Sequence, residues 1–384
     1  MKKRVSVLGA TGSIGKNTID VISRDKDSFE AVLLTAHTDR KGLEEAARQW
    51  PYAICVLSGE EGGREKLLEA VKSVHADITV NGISGGAGLE PSLAAIESGS
   101  NLALANKETM VMAGKLALRR AKEKGVKIIP VDSEHSAIFN LIEAHCGRGG
   151  ANSDELIDEI ILTASGGPFR KASLKEMENA SPQEALAHPT WKMGKKISVD
   201  SASMANKGLE IIEAAAFFNM PPEKIKVVIH PQSVVHSMIR LRNGVIYAQL
   251  SKPDMRHPIH DALYWPEITC RNGPEILSFD SLTLEFEKPD AGKFPMLNLA
   301  WDAAMRGGLF PCAYNAANEE AAAAFLNEKI GFLDIPRITD HVLSGNCARG
   351  ADDLKSILEA DAEARRKAGE YIKQINKKAL YADN

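Results

Sequence analysis

From Arg4 to His135 the chain alternates between short β-branched runs and segments with apolar residues at helical spacing. Arg4–Leu8, Ala31–Ala36, Ala53–Leu57, Asp77–Val80, Asn101–Ala105 and Lys127–Val131 read as strands, and Ser13–Ile22, Leu89–Glu97 and Thr109–Lys124 as helices. This alternation predicts a Rossmann-like, doubly wound parallel α/β sheet, with ligands bound outside the carboxyl ends of its strands. The polar, glycine-rich stretch Cys146–Asp154 marks a first boundary. Beyond it, Asp158–Ser165 restarts as a strand, and Ser181-Pro-Gln-Glu184 reads as a capping box that opens a short helix. Lys196–Val199 reads as a β-branched run leading into a helix at Leu209–Phe218. Ile225–Ile229, Val234–Leu241, Val245–Leu250 and Leu282–Phe286 follow as strands, with Asn243-Gly244 predicting a type I′ hairpin and the whole an antiparallel, α+β arrangement. A linker begins at Pro289, and Leu297–Met305, Ala313–Leu326, Ile335–Leu343 and Leu354–Ile375 read as a small helical bundle. The expected domains are thus 1–150, 151–288 and 289–384.

Composition narrows the class without changing this picture. A 384-residue chain with 44% hydrophobic and 26% charged residues suits a globular enzyme of two or three domains. The net charge of -4 offers no broad positive field for nucleic acid or a membrane surface, and no run approaches a membrane span. Five scattered cysteines without CxxC spacing read as reduced thiols, which implies a cytoplasmic protein.

The candidate chemistry sits at strand ends. Gly9-Ala-Thr-Gly12-Ser-Ile-Gly15 follows a strand and opens a helix, the context in which such a loop cradles a pyrophosphate. The next strand tip carries His37, then Asp39, Arg40 and Lys41; the cations favour NADP over NAD, and Asp39 argues the other way. Asn106-Lys107-Glu108 and Asp132-Ser133-Glu134 occupy two further strand ends. Asp132 and Glu134, two apart on an extended stretch, would point the same way and suit Mg²⁺ or Mn²⁺; a solvated helix cap is the equal alternative. Val199–Glu210 (VDSASMANKGLE) gathers hydroxyls, an amide, a lysine and carboxylates at a helix start, which suits either a phosphate or an elaborate N-cap. Asp200, Glu210 and Glu213 are equal candidates for a third metal carboxylate. His188–Lys196 reads as a linker or as a lid over an anionic substrate.

These windows together resemble the 1-deoxy-D-xylulose 5-phosphate reductoisomerase family. The resemblance rests on GATGSIG (Gly9–Gly15), LANKE (Leu104–Glu108), VDSEHSAIF (Val131–Phe139), ASGGPFR (Ala164–Arg170), HPTWKMG (His188–Gly194), VDSASMANKGLE, HPQSVVHSM (His230–Met238), PDMR (Pro253–Arg256) and NAANE (Asn315–Glu319), in family order along nearly the whole chain. It implies an NADPH domain, a central catalytic domain that also forms a homodimer interface, a C-terminal helical bundle, and a divalent cation, Mg²⁺, Mn²⁺ or Co²⁺. It further implies rearrangement and reduction of 1-deoxy-D-xylulose 5-phosphate to 2-C-methyl-D-erythritol 4-phosphate in non-mevalonate isoprenoid synthesis.

Residue by residue, Asp132, Glu134 and Glu210 match the family's metal ligands, and Lys107 and Ser133 match residues that hold substrate oxygens. Ser165, Ser201, Asn206 and Lys207 match its phosphate pocket. His188 and Trp191–Gly194 match its lid, and His236 matches an active-site histidine. Thr11, Gly12, Ser13, Ile14, Asn106, Glu108 and Gly194 match NADPH contacts, and Met255 matches a residue beside the nicotinamide. The chain departs from the family at His37-Thr38-Asp39, where many members have Gly-Lys-Asn, so His37 or Arg40 is expected to meet the 2′-phosphate. Thr190 replaces a common Asn in the lid. A thiolate-dependent semialdehyde dehydrogenase is the rival enzyme, with Cys146 as its one placed cysteine, and a non-catalytic NADP-binding regulator is the rival of another class.

Overall fold

The β-branched runs of the N-terminal half pair in parallel because each is followed by a helix that returns the chain to the same end of the sheet. A computed structural model describes residues 1–145, 153–191, 193–269, 272–345, 350 and 353–382. The expected boundary at Cys146–Asp154 falls mostly outside the described residues, as do Cys146, Cys270 and Cys347. The chain packs into two compact units: Met1–Thr109, Ala117–His145 and Gln249–Ser278 form the first, and Met110–Leu116, Cys146–Ala248 and Phe279–Asn384 the second.

The first unit runs β1 (Lys3–Leu8), α1 (Ser13–Arg24), β2 (Phe29–Ala36), α2 (Arg40–Ala47), β3 (Ile54–Leu57), α3 (Gly63–Ser73), β4 (Ile78–Asn81), α4 (Leu89–Glu97), β5 (Asn101–Leu104), α5 (Lys107–Lys124), β6 (Ile128–Pro130) and α6 (Ser133–His145). Its six strands lie in the order β3-β2-β1-β4-β5-β6, all parallel, which is the doubly wound dinucleotide-binding order. Val5, Val7, Leu33, Leu34, Val80, Leu102 and Ala103 are buried between the helical layers. The order reverses between β1 and β4, so a crevice opens beyond Leu8 and Asn81.

The second unit contains α7 (Ser153–Leu156), β7 (Ile157–Ala164), α8 (Leu174–Glu178), α9 (Pro182–Leu186), α10 (Lys195–Ala202), α11 (Ala205–Phe217), β8 (Ile225–Ile229), β9 (Val235–Leu241) and β10 (Ile246–Leu250). After α12 (Arg256–Tyr264), which belongs to the first unit, come α13 (Pro295–Arg306), α14 (Phe310–Leu326), α15 (Asp334–Leu343) and α16 (Leu354–Ala382). The alanine-rich α14 is buried on almost every face and packs against α10, α11, α13, α15 and α16. Ser181 caps α9 as the sequence predicts: its hydroxyl accepts from the Glu184 amide and Glu184 reaches back to the Ser181 amide.

Several expectations are corrected here. Lys196–Val199 is helix, not strand: α10 buries Ser198, Val199 and Ala202 where it packs against α9, α11 and α14, and Lys196 pairs with Asp200 one turn on. The four-stranded sheet β10-β9-β7-β8 is mixed, because β8 pairs parallel to β7 and only β9 runs antiparallel to it. The Asn243-Gly244 turn is a three-residue loop with a glycine bulge. Gly244 alone takes positive φ (+87°), while its amide donates to Leu241 and Leu241 donates to Val245. Leu282–Phe286 forms no strand; beside it only Glu287 bridges Ile229, and Leu284 and Phe286 are exposed. Asp132-Ser133-Glu134 is not extended, since α6 begins at Ser133; the same-face argument for Asp132 and Glu134 therefore fails.

Candidate active site

In the first unit two glycine loops meet at the β1/β4 crevice. Gly9 takes φ +80°, and a Cβ there would press on the Gly82 carbonyl at 3.0 Å. Gly15 is buried against the backbone of Gly9 and Ala10, with no room for a side chain. A Cβ on Gly82 would meet Ile14 at 2.9 Å. Gly12 caps α1 with no side chain bonded to its amides and no acid in the first turn. Thr11, Gly12, Ser13 and Ile14 therefore surround a helix start whose N–H groups remain available to an anion.

Asn106 ties the neighbouring strand end to this crevice. Its amide donates to the carbonyls of Ile83 (2.8 Å) and Gly85 (2.9 Å) and to Glu108 (2.9 Å). Its oxygen accepts from the amide and hydroxyl of Thr109, which caps α5. Asn106 is 2% exposed, so its hydrogen-bonding capacity is spent on shaping the Ile83–Gly85 loop. At the β2 tip, Asp39 caps α2 by accepting from Gly42 (2.9 Å), Arg40 pairs with Glu60, and His37 Nδ1 lies 3.2 Å from Ser58 Oγ. Asp39 thus serves the helix, which the sequence left ambiguous.

Lys107, 6% exposed at the start of α5, pairs with Asp132 just ahead of α6. Burial would raise the Asp132 carboxyl, but the charges of Lys107 and His135 and its side-chain hydrogen bonding with Glu134 and Lys107 outweigh it and hold the group well below the usual carboxylate range. Ser133 donates to Glu134 at 2.5 Å. The first unit thereby joins Lys107, Asp132, Ser133 and Glu134 in one polar cluster. Met255, at the N-cap of α12, stands between Asp254 and Arg256. Arg256 grips Asp254 through Nε (2.8 Å) and reaches Asp20 of α1 through Nη1 (3.3 Å), fixing the Met255 turn to the helix that follows the glycine loop.

The second unit holds the remaining predicted residues. Ser165 follows β7, and its hydroxyl lies 2.9 Å from His188 Nε2. Gly167, at φ +65°, lets this loop approach α10 so closely that a Cβ would strike the Ser201 carbonyl at 2.6 Å. Between α10 and α11 the chain turns at Met204, a non-glycine at φ +62°. Ser201 thus ends one helix while Asn206 and Lys207 begin the next, whose first turn carries no acid and whose Ala205 amide donates to Ser203 Oγ at 3.3 Å. Glu210 is fully buried; it accepts from Asn206 Nδ2 at 2.6 Å and pairs with Lys207. His188 Nδ1 accepts from the amides of Thr190 and Trp191; Gly194 caps α10, and Lys192 between them lies outside the described residues. His236 is buried on β9, where its carbonyl accepts from Thr163 at 2.7 Å. His230 is structural, its Nε2 accepting from Val234 and Val235.

The predicted set therefore divides: Asp132 and Glu134 belong to the first unit and Glu210 to the second. Against known proteins, 1-deoxy-D-xylulose 5-phosphate reductoisomerase models match residues 5–62 and 56–114, the model of that enzyme's C-terminal domain matches 128–218, and a DXP reductoisomerase C-terminal domain model matches 250–367. The 1-deoxy-D-xylulose 5-phosphate reductoisomerase of Laribacter hongkongensis is 44% identical over 382 residues, 95% of this chain and 98% of that protein. The enzyme of that name from Prosthecochloris aestuarii is 45% identical over 384 residues, with coverage of 95% and 98%. The chain belongs to the 1-deoxy-D-xylulose 5-phosphate reductoisomerase family.

Solved reductoisomerase structures agree with this placement. The Zymomonas mobilis enzyme in complex with NADPH superposes with a TM-score of 0.88 at 41% identity, covering 97% of this chain and 99% of that one. A DOX-P reductoisomerase in complex with NADPH, fosmidomycin and magnesium gives 0.88 at 37% identity, with the same coverage. For a reductoisomerase, the paired glycine loops and uncapped α1 fit a dinucleotide; Asp132 and Glu134 of the first unit, and Glu210 of the second, each offer oxygen donors of the kind a hard divalent cation takes. In the sequence, Gly167 and Asn318 enter only as members of ASGGPFR and NAANE, with no role for either, and Gly82 and Asp20 are passed over. Their signal is a close approach or a long-range partner, which no local pattern carries.

Proposed function

We propose that this chain rearranges 1-deoxy-D-xylulose 5-phosphate and reduces the product with NADPH to 2-C-methyl-D-erythritol 4-phosphate, a step of non-mevalonate isoprenoid synthesis. The observation that carries the reading is family membership over nearly the whole chain, with both the dinucleotide crevice and the anion-ready α10–α11 corner intact. Asp132, Glu134 and Glu210 would hold Mg²⁺ or Mn²⁺ (Co²⁺ as a further option). Such an ion supplies Lewis acidity toward the substrate's carbonyl and hydroxyl oxygens. Thr11, Gly12, Ser13 and Ile14 would hold NADPH, which would supply the hydride; Asn106 and Glu108 shape the adjoining loop, Met255 and Gly194 would contact the cofactor, and His37 would meet its 2′-phosphate.

This chain's residues would do the rest. Lys107 balances the carboxylates and, with Ser133, orients substrate oxygens. Ser165, Ser201, Asn206 and Lys207 take the phosphate, with the first turn of α11 adding its N–H groups. His188 and Trp191 close over the substrate and exclude water, and His236 supports the centre from β9. The three spans 1–150, 151–288 and 289–384 remain our proposed functional domains. The protein is read as a cytoplasmic homodimer. Free thiols at Cys55 and Cys312 suit a reducing compartment. The sheet edge at β10, with Ile246 and Tyr247 exposed, and the exposed Phe279 and Phe286 offer a second copy an apolar surface.

The test follows NADPH absorbance on adding 1-deoxy-D-xylulose 5-phosphate, with and without Mg²⁺ or Mn²⁺, and with NADH in parallel. Metal-dependent oxidation of NADPH is expected. Folded protein that binds NADPH yet oxidises none with any of these metals would overturn the reading.

A further inference from the structure

Asp200 sits one residue before Ser201 in α10 and is 1% exposed, so it acts on a ligand only through its neighbours. Its two oxygens serve two partners. Lys196 Nζ, one turn earlier, lies 2.8 Å from Oδ2, and Asn318 Nδ2 of α14 donates to Oδ1 at 2.8 Å. Asn318 is fully buried, and its own oxygen has no hydrogen-bond partner among the described residues. An amide that commits its NH₂ to a carboxylate and leaves its oxygen unmatched is oriented by that charge-assisted bond.

The other end of Asp200 reaches the strained corner. Ser203 Oγ lies 3.0 Å from the Val199 carbonyl and 3.3 Å from that of Asp200, between which its one proton is shared, and it accepts from the Ala205 amide at 3.3 Å, spanning Met204. A buried non-glycine residue at φ +62° persists only where the surroundings over-determine it. That corner separates Ser201 from Asn206 and Lys207.

We propose that Asp200 is a positioning residue for the phosphate pocket: the Lys196–Asp200–Asn318 chain anchors the α10–α11 corner to α14 and sets where Ser201, Asn206 and Lys207 meet a phosphate. The inference rests on the phosphate reading of those three residues given above. Lys196 has a second task, because an uncompensated carboxylate beside Ser201 would oppose a phosphate dianion.

Steady-state kinetics on Asp200→Asn, Asn318→Ala, Lys196→Met and the double variant Lys196→Met/Asp200→Asn test this, with substrate and NADPH varied separately. Asp200→Asn and Asn318→Ala are expected to raise the substrate KM about 10-fold while kcat stays within about 3-fold and the NADPH KM within about 2-fold. Lys196→Met raises the substrate KM further, and the double variant returns toward the Asp200→Asn value instead of multiplying the losses. Losses that multiply, or a fall in thermal midpoint with the substrate KM unchanged, would overturn the inference. If Asp200→Asn does not fold, Asn318→Ala, which keeps the Lys196–Asp200 pair, carries the same test. Wild-type enzyme that turns over alongside variants equal to it sinks the positioning role alone. Wild-type protein without turnover sinks the functional reading and this inference with it.

Discussion

The Nε2 of His188 lies 2.9 Å from the Ser165 hydroxyl while its Nδ1 accepts two backbone amides, from Thr190 at 3.1 Å and Trp191 at 2.9 Å. A neutral imidazole has one N–H, so two donors at Nδ1 place the proton on Nε2, which donates to Ser165. The Gly167 amide also donates to that oxygen, at 3.3 Å, which leaves the Ser165 O–H free to turn toward a phosphate.

Protonating His188 would place a proton on Nδ1 and break both amide contacts, and burial already lowers its pKa from the ordinary value. The unfolded chain therefore takes up this proton first. His188's contribution to stability is complete above about pH 6.5 and is lost as pH falls from there through the lowered folded value. Nitrogen NMR shifts of histidine-labelled protein are expected to show the Nε2–H tautomer, titrating below about 6.5. The thermal-midpoint gap between wild type and His188→Gln should narrow on acidification. An Nδ1–H tautomer at neutral pH would contradict the geometry.

Lys107 and Asp132 form a nearly buried pair across two strand ends. Removing the cation leaves a buried carboxylate without its main counter-charge, which costs about 3 kcal/mol or more. Lys107→Met is expected to lower turnover by about 100-fold, equivalent to about 2.7 kcal/mol of barrier. NADPH affinity, read by fluorescence titration, should change little, because Asn106 and the glycine loops keep their contacts. Equal loss of cofactor affinity would show that Lys107 supports the crevice and not the substrate.

The periodic parts of this fold are readable in the sequence, because burial imposes their period. The six parallel strands, the helix at Leu89–Glu97 and the Ser181 capping box come out within a residue or two. The failures lie where long-range partners decide. Ile197 and Val199 look like strand, but Lys196–Asp200 and the packing against α14 make them helix. Leu282–Phe286 has strand composition, but among the described residues the backbone pairing beside it is the single bridge between Glu287 and Ile229. Lys107, Asp132 and Glu134 were legible as strand-end clusters and Ser201–Glu210 as a polar helix start, but neither Gly167 against Ser201 nor Asn318 on Asp200 leaves any local spacing to read.

Cofactor choice is expected to depend on the β2 tip. Asp39 caps α2 and Arg40 pairs with Glu60, while His37 lies beside Ser58 and is taken as the 2′-phosphate contact. His37→Ala should raise the NADPH KM about 10-fold and leave the NADH KM unchanged, since only the phosphate contact is lost. Glu60→Gln releases Arg40 and is expected to lower the NADPH KM. A parallel change in both cofactors' KM values would place the 2′-phosphate elsewhere.

The sequence left Asp200, Glu210 and Glu213 as equal candidates for the third metal carboxylate, and their surroundings separate the first two. Asp200 has its oxygens on Lys196 and Asn318, deep against α14. Glu210 follows Asn206 and Lys207 by one turn of α11, so its carboxylate shares their side of the helix. Glu210→Gln keeps the shape and an oxygen for Asn206 while removing the charge. If Glu210 is the third ligand, kcat falls by about 1,000-fold, or about 4 kcal/mol, and the Mg²⁺ concentration for half-maximal rate rises. NADPH affinity stays as it was, because no cofactor contact is touched. Glu213→Gln, one turn further on, controls for the loss of a buried charge in the same helix and should retain turnover. If instead Glu213→Gln raises the Mg²⁺ requirement and Glu210→Gln does not, the third ligand lies one turn further along α11.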